Sequence, residues 1–422
     1  MKTKNFISNN AKTAIAIVTA SVVTMMGMTA CSADCEEDLL APVPTMTRGG
    51  GPAPVSYVER SWDGKQVVST VKTVTDYIEL KGSDMTDYSS YELQSDKWYV
   101  VKSNFERCFI NAPSGKPANL IICNGARVFA GVMIDEGDAL NIYSQEGDGG
   151  ELRATAADDR VNHWKYPGIG SRRTMGTLTI HGGKITAISK GIEEIAAIGG
   201  GNKGSGGKVT IYGGNITADG GDYGAGIGSG YGAYKMESLF DRRPRNDGGT
   251  LTIYGGNVTA KGGKYGAGIG GGIDANGATV TIYGGKVRAT GGVDAAGIGS
   301  GEEQDVAPNI HGGSLTVYGG EVFADGTDWG AGIGGGEDAD GAKVEIYGGS
   351  VTAWAGQDAG KKNGSAIGSE DGDGHRGSLK LGDNMKVWAG QNPSDADKHL
   401  FPFETRVPAC FFRPYTRIVA SR

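Results

Sequence analysis

The stretch Leu251-Thr252-Ile253-Tyr254-Gly255-Gly256-Asn257-Val258-Thr259-Ala260, closed by Ala267-Gly268-Ile269-Gly270, decides the fold of this chain. Apolar and polar residues alternate in it, the period of a strand with one buried face, so Leu251 and Ile253 point inward and Thr252 and Tyr254 outward. Gly255-Gly256 separates the two runs, and glycine supplies the positive φ that a sharp corner needs. The pattern apolar-x-apolar-aromatic-Gly-Gly recurs at residues 178–183, 209–214, 280–285, 315–320 and 344–349, and the Ala-Gly-Ile-Gly closure at 225–228, 296–299 and 331–334. Between the aromatic positions His181, Tyr212, Tyr254, Tyr283, Tyr318 and Tyr347 the steps are 31, 42, 29, 35 and 29 residues. A fixed motif at variable steps means constant strands joined by loops of variable length.

Three short strands per unit with glycine at the corners predict an all-β fold, a single-stranded right-handed parallel β-helix whose coils stack about 4.8 Å apart. Of the 422 residues 75 are glycine, and 62 of these lie between Gly168 and Gly390; only 13 prolines accompany them and no three-residue period exists, which excludes collagen. The expected organisation is a signal peptide over 1–30, an acidic and Pro/Gly-rich tether over 31–56, and an N-terminal cap with irregular first coils over 57–110. The helix proper follows over 111–390, and a C-terminal cap over 391–422 carries Phe401, Phe403, Phe411 and Phe412 to cover the last coil. The outward aromatic column reads as a stacking ladder that stabilises the coils.

Lys2, Lys4 and Lys12 precede an uncharged stretch that ends Met28-Thr29-Ala30-Cys31, the layout of a secretory signal. Small residues before a cysteine resemble the lipobox of bacterial lipoproteins, although Met28 departs from the usual leucine. The acidic run Asp34, Glu36, Glu37, Asp38 resembles the signal that sends Bacteroidetes lipoproteins to the outer face of the outer membrane. These resemblances imply lipidation at Cys31 and a surface-exposed, outer-membrane-anchored protein. Losing residues 1–30 removes three lysines and no acid, taking the formal charge from −7 to −10, which argues against a nucleic-acid partner. A monomer is expected. Cys108 and Cys123 are either a disulfide or two buried thiols, and no cysteine pair has metal-ligand spacing.

Motifs of other chemistries fall away on inspection. Gly206-Gly207-Lys208-Val209 lacks both the first glycine and the Ser/Thr of a phosphate loop, and neither a nucleophile elbow nor a His-Glu-x-x-His occurs. In a β-helix a site must instead be sought down columns of equivalent positions. Four residues before the isoleucine of each closure stand Lys165, Glu194, Tyr223, Tyr265, Asp294, Trp329 and Asn363, a mixture of charge and aromatics where a structural repeat would hold one residue type. His163 sits beside its upstream end. Loops leaving the same corner carry Arg172 and Arg173, and Arg242 and Arg243, a basic rim on an acidic protein.

The consensus over residues 209–334 resembles glycine-rich surface β-helix proteins of gut bacteria, a group that includes glycosaminoglycan lyases of the polysaccharide lyase family 29 type. The resemblance implies β-elimination on an acidic, uronate-containing polysaccharide such as chondroitin sulfate, hyaluronan or dermatan, attacked internally. It carries no catalytic signature residue by residue. The chemistry needs a base, an acid and neutralisation of the uronate carboxylate. Lys165 or His163 is the candidate base, Tyr223 or Tyr265 the acid, and Arg172, Arg173, Arg242 and Arg243 the anion binders. Trp329 would stack on a sugar. Glu194 or Asp294 would orient the base or hold calcium, the one cofactor considered. The alternative is a glycan-binding or adhesive surface protein without catalysis.

Overall fold

In the computed structural model the described residues are 52–82, 90–159, 164–232, 247–304, 310–356, 365–369, 377–383, 385–390, 397–399, 407–408 and 415–420. Among them there is no α-helix, and parallel pairing runs from coil to coil, with one register shift between Glu106 and Cys108 in an early coil. Ile180 pairs with Ile211, Ile211 with Ile253, Ile253 with Ile282 and Ile282 with Val317 along one sheet. Ile216, Val258, Val287, Val322 and Val351 form the matching row on the next. The chain is a parallel β-helix. Leu251, Ile253, Val258 and Ile269 are all but fully buried in one continuous apolar stack from Leu80 to Ile418, as the alternation requires. Parallel pairing is already present between Ile78–Glu79 and Trp98–Val101, inside the stretch read as a cap.

The third strand of each coil is only Ile-Gly, and here glycine is required. Gly170, Gly199, Gly228, Gly270, Gly299 and Gly334 have φ between +136° and +154°, and a Cβ on any of them would lie 1.7–1.9 Å from the next coil's glycine carbonyl oxygen. Backbone therefore passes against backbone with no room for a methyl group.

The aromatic column is a ladder: Tyr143, His181, Tyr212, Tyr254, Tyr283, Tyr318 and Tyr347 stack with centroids 4.3–5.4 Å apart. An antiparallel hairpin, β1 (Val55–Trp62) and β2 (Val67–Val74), lies over its first part. Trp62 packs on Tyr254 and Tyr283 at 5.3 and 5.1 Å, and Tyr57 on Tyr143 at 5.1 Å. Arg60 pairs with Asp148 at 2.9 Å and donates to the His181 carbonyl. Burial holds His181 down to about 4, so it is neutral at neutral pH. Cys108 and Cys123 are free buried thiols, each raised by desolvation, Cys108 to about 11. At the other end, strand Tyr415–Ala420 runs antiparallel to both Ser350–Trp354 and Met385–Gly390 and buries Ile418. The four tail phenylalanines lie outside the described residues.

Candidate functional site

Each closure is followed by a turn that bonds back to the preceding coil. Tyr231, Ile273, Glu302 and Glu337, each four residues after a closure isoleucine, donate backbone N–H to Glu194, Tyr223, Tyr265 and Asp294 respectively, at 2.8–3.2 Å. These acceptors belong to the column four residues before the isoleucine. The two columns are therefore side by side, and the second is as mixed as the first: Arg173, Asn202, Tyr231, Ile273, Glu302, Glu337. Sequence reasoning found the first column and missed the second. The missing information is the interlock between coils, which no linear repeat displays, although the same register rule would have collected its members.

Together the columns make one surface strip. Lys165 Nζ bonds Glu194 at 3.0 Å and Glu193 at 3.3 Å. Tyr231, bonded to Glu194, has its ring 6.0 Å from that of Tyr223, which in turn lies 6.0 Å from Tyr265 with planes 14° apart. Lys264 Nζ sits 4.5 Å over the Tyr265 ring and is exposed. Beyond Tyr265 come Asp294, Glu302 and Glu337, and Asp294 Oδ1 accepts the N–H of Trp329 at 3.3 Å. Five coil steps of about 4.8 Å give a strip about 24 Å long. Its backbone holds two non-glycine residues in the left-handed region, Glu194 at φ +72° and Asp294 at +58°, a conformation that costs about 1–2 kcal/mol and collects at functional sites.

The electrostatics differ from one strip residue to the next. Partial burial works to lower Lys165, but hydrogen bonds and charge from Glu194 and Glu193 outweigh it and hold the ammonium above its ordinary value. An amine held protonated in this way is a poor proton acceptor. Lys264, which sequence reasoning passed over, is raised by hydrogen bonding to Tyr265 and offers an exposed positive charge in mid-strip. Arg172 and Arg173 are exposed, and the Arg172 guanidinium lies 5.6 Å over Tyr166, next to Lys165. His163, Arg242, Arg243 and Cys31 lie outside the described residues. Tyr166 also meets Phe109 at 5.7 Å, beside an open depression of about 220 Å³ lined by Phe109, Phe129 and Arg153.

Six segments match the model of the beta helix repeat, at residues 178–202, 209–231, 251–273, 280–302, 309–337 and 344–373. The matches support a parallel β-helix family. Four of the six, 178–202, 209–231, 251–273 and 280–302, begin at an inward residue of the first strand and end on the second mixed column, so the shared repeat carries the scaffold of the strip. No curated protein and no solved structure matches the chain.

Proposed function

We propose that the protein is a surface polysaccharide lyase that lays an acidic, uronate-containing glycan of the chondroitin sulfate type along this strip and cleaves it by β-elimination. What carries the reading is the centre of the strip, where the Tyr223 and Tyr265 rings stack 6.0 Å apart and the exposed Lys264 ammonium lies over the Tyr265 ring. In the elimination one tyrosine, acting as its phenolate, takes the proton next to the uronate carboxylate and becomes a phenol, and the electron pair left behind forms the C=C bond. The glycosidic C–O bond breaks, and the leaving oxygen takes a proton from an acid. A positive charge such as Lys264 stabilises the carbanion-like transition state through the substrate carboxylate. Tyr231 and Trp329 supply further apolar faces along the strip for sugar rings. Lipid on Cys31 would hold the domain at the membrane surface; a Cys31→Ser chain that still partitions with membranes would refute that anchor.

Binding without cleavage is the second reading, favoured by the neutralisation of Lys165 by two glutamates. One experiment separates them. The purified chain is incubated with chondroitin sulfate, dermatan sulfate, hyaluronan and pectin while ultraviolet absorbance and gel mobility are followed. The lyase reading expects the absorbance of a conjugated, unsaturated uronate with at least one of them. Retarded mobility without new absorbance leaves binding alone, and neither signal sinks both.

A further inference from the structure

The downstream third of the strip departs from the rest. At Asp294, Glu302 and Glu337 the two columns bring three carboxylates together, and one oxygen from each lies within 4.8 Å of the other two. Two oxygens that are both about 2.4 Å from a single calcium ion are separated by no more than about 4.8 Å, and all three pairs here meet that limit. Their backbones are fixed: Glu302 N–H is bonded to the Tyr265 carbonyl at 3.2 Å and Glu337 N–H to the Asp294 carbonyl at 2.8 Å.

A cluster of acids at a surface is commonplace, and Glu302 is what distinguishes this one. The residue is only 9% exposed. Gln304 Nε2 donates to its Oε1 at 3.0 Å, while its Oε2 is enclosed and accepts no hydrogen bond from the described residues. A buried carboxylate oxygen without a donor costs about 1–3 kcal/mol or more, and a charged one beside two further carboxylates costs more again. Burial raises Glu302 above its ordinary value, opposed by the Gln304 hydrogen bond and more weakly by Lys264, with the charges of Asp294 and Asp274 adding to the rise. An ion in the cluster would cancel the repulsion, and one bound at Oε2 would satisfy that oxygen as well.

We propose that Asp294, Glu302 and Glu337 bind one divalent cation, with calcium the fit. The donors are all oxygens, which suits hard cations, and no nitrogen or sulfur ligand is present to favour zinc. The equivalent triangles on earlier coils (Glu194, Asn202 and Tyr231; Tyr223, Tyr231 and Ile273; Tyr265, Ile273 and Glu302) each hold at most one carboxylate, so the site is a local departure from the repeat. The proposal does not depend on the lyase reading, because it is measured on the protein alone.

The test is calorimetric titration of calcium chloride into the chelator-treated full chain, with thermal unfolding followed in parallel. We expect one ion per chain, with a Kd of ~10⁻⁵ to 10⁻³ M, and a rise in the unfolding midpoint with calcium. Glu302→Gln should weaken binding by more than ~10-fold, since even indirect supports of a metal are worth that much. In chelator Glu302→Gln should unfold at or above the wild-type midpoint, because it removes repulsion, so a misfolded variant cannot pass for a positive result. Asp219→Asn, remote from the cluster, should bind as wild type. No heat and no stabilisation by calcium, or unaltered binding by Glu302→Gln, would overturn the site.

Discussion

Replacing Gly228 by alanine tests the packing that brings the columns into register. Its φ is +144°, and an added Cβ would stand 1.9 Å from the Gly270 carbonyl oxygen. Retreat to 3.0 Å, the shortest separation real Cβ atoms tolerate, opens the two coils locally by about 1.1 Å. That movement stretches Ile227 N–H to Gly268 O and Ser229 N–H to Gly270 O, now 3.1 and 3.0 Å, beyond hydrogen-bonding distance. Two buried bonds lost cost about 2–6 kcal/mol and the left-handed backbone about 1–2 kcal/mol more, while reduced freedom of the unfolded chain returns less than about 1 kcal/mol. The sum is about 5 kcal/mol, comparable with the whole stability of many domains. Gly191→Ala is the control, for it too has a positive φ, +83°, but nothing lies within 4 Å of its added Cβ. It should lose only about 1 kcal/mol. Urea unfolding followed by circular dichroism, with hydrogen exchange at Ile227 and Ser229, measures both. Equal midpoints and equal exchange in the two variants would show that the glycine contacts between coils do not set the stability.

Three further outcomes follow from the same geometry. His181 titrates near 6.5 when unfolded and at about 4 when folded, so the unfolded state binds the proton more tightly; stability should be complete above pH 6.5 and fall by about 3 kcal/mol as pH drops through that window to 4. His181→Tyr, which keeps the ladder, should flatten that dependence in urea midpoints measured across the window, and an unchanged slope would contradict the assignment. Trp62→Ala should speed hydrogen exchange in β1 and β2 while leaving the coils protected, with a loss of about 1–2 kcal/mol confined to the hairpin, and exchange that does not change there would show that the Tyr254 and Tyr283 contacts hold nothing. If the chain cleaves uronate polysaccharide, Tyr265→Phe should lower kcat by about 10²–10⁴-fold with little change in KM, and Lys165→Met should lower it far less; the reverse order would restore Lys165 as the base.

The fold was legible because a repeat converts one correct register into all the others. Once Leu251 and Ile253 are inward, the pairing of Ile211, Ile253 and Ile282 follows, and so does the ladder from His181 to Tyr347. The hairpin β1–β2 was not legible as a cover for that ladder. Its key contact joins Arg60 to His181 across 121 residues, and nothing periodic connects them. Half of the candidate strip was visible for a similar reason: one column can be counted from the closure isoleucine, whereas its neighbour becomes adjacent only through hydrogen bonds such as Glu302 to Tyr265. Lys165 shows the other limit. It was picked out by its place in the column, but its charge is fixed by ion pairs to Glu193 and Glu194 of the next coil, which counting positions does not reveal. For Cys108 and Cys123 composition left bond and thiol open, and the fold buries them as free thiols in two different apolar clusters.

The central claim is that function resides on the strip formed by the two columns. Affinity electrophoresis through gels containing chondroitin sulfate tests it most directly, comparing Tyr223→Ala, Tyr265→Ala and Trp329→Ala with Tyr318→Ala, an exposed ladder residue off the strip. The three strip variants should lose retardation while Tyr318→Ala migrates as wild type. Retardation retained by all three, or lost only with Tyr318→Ala, would contradict it.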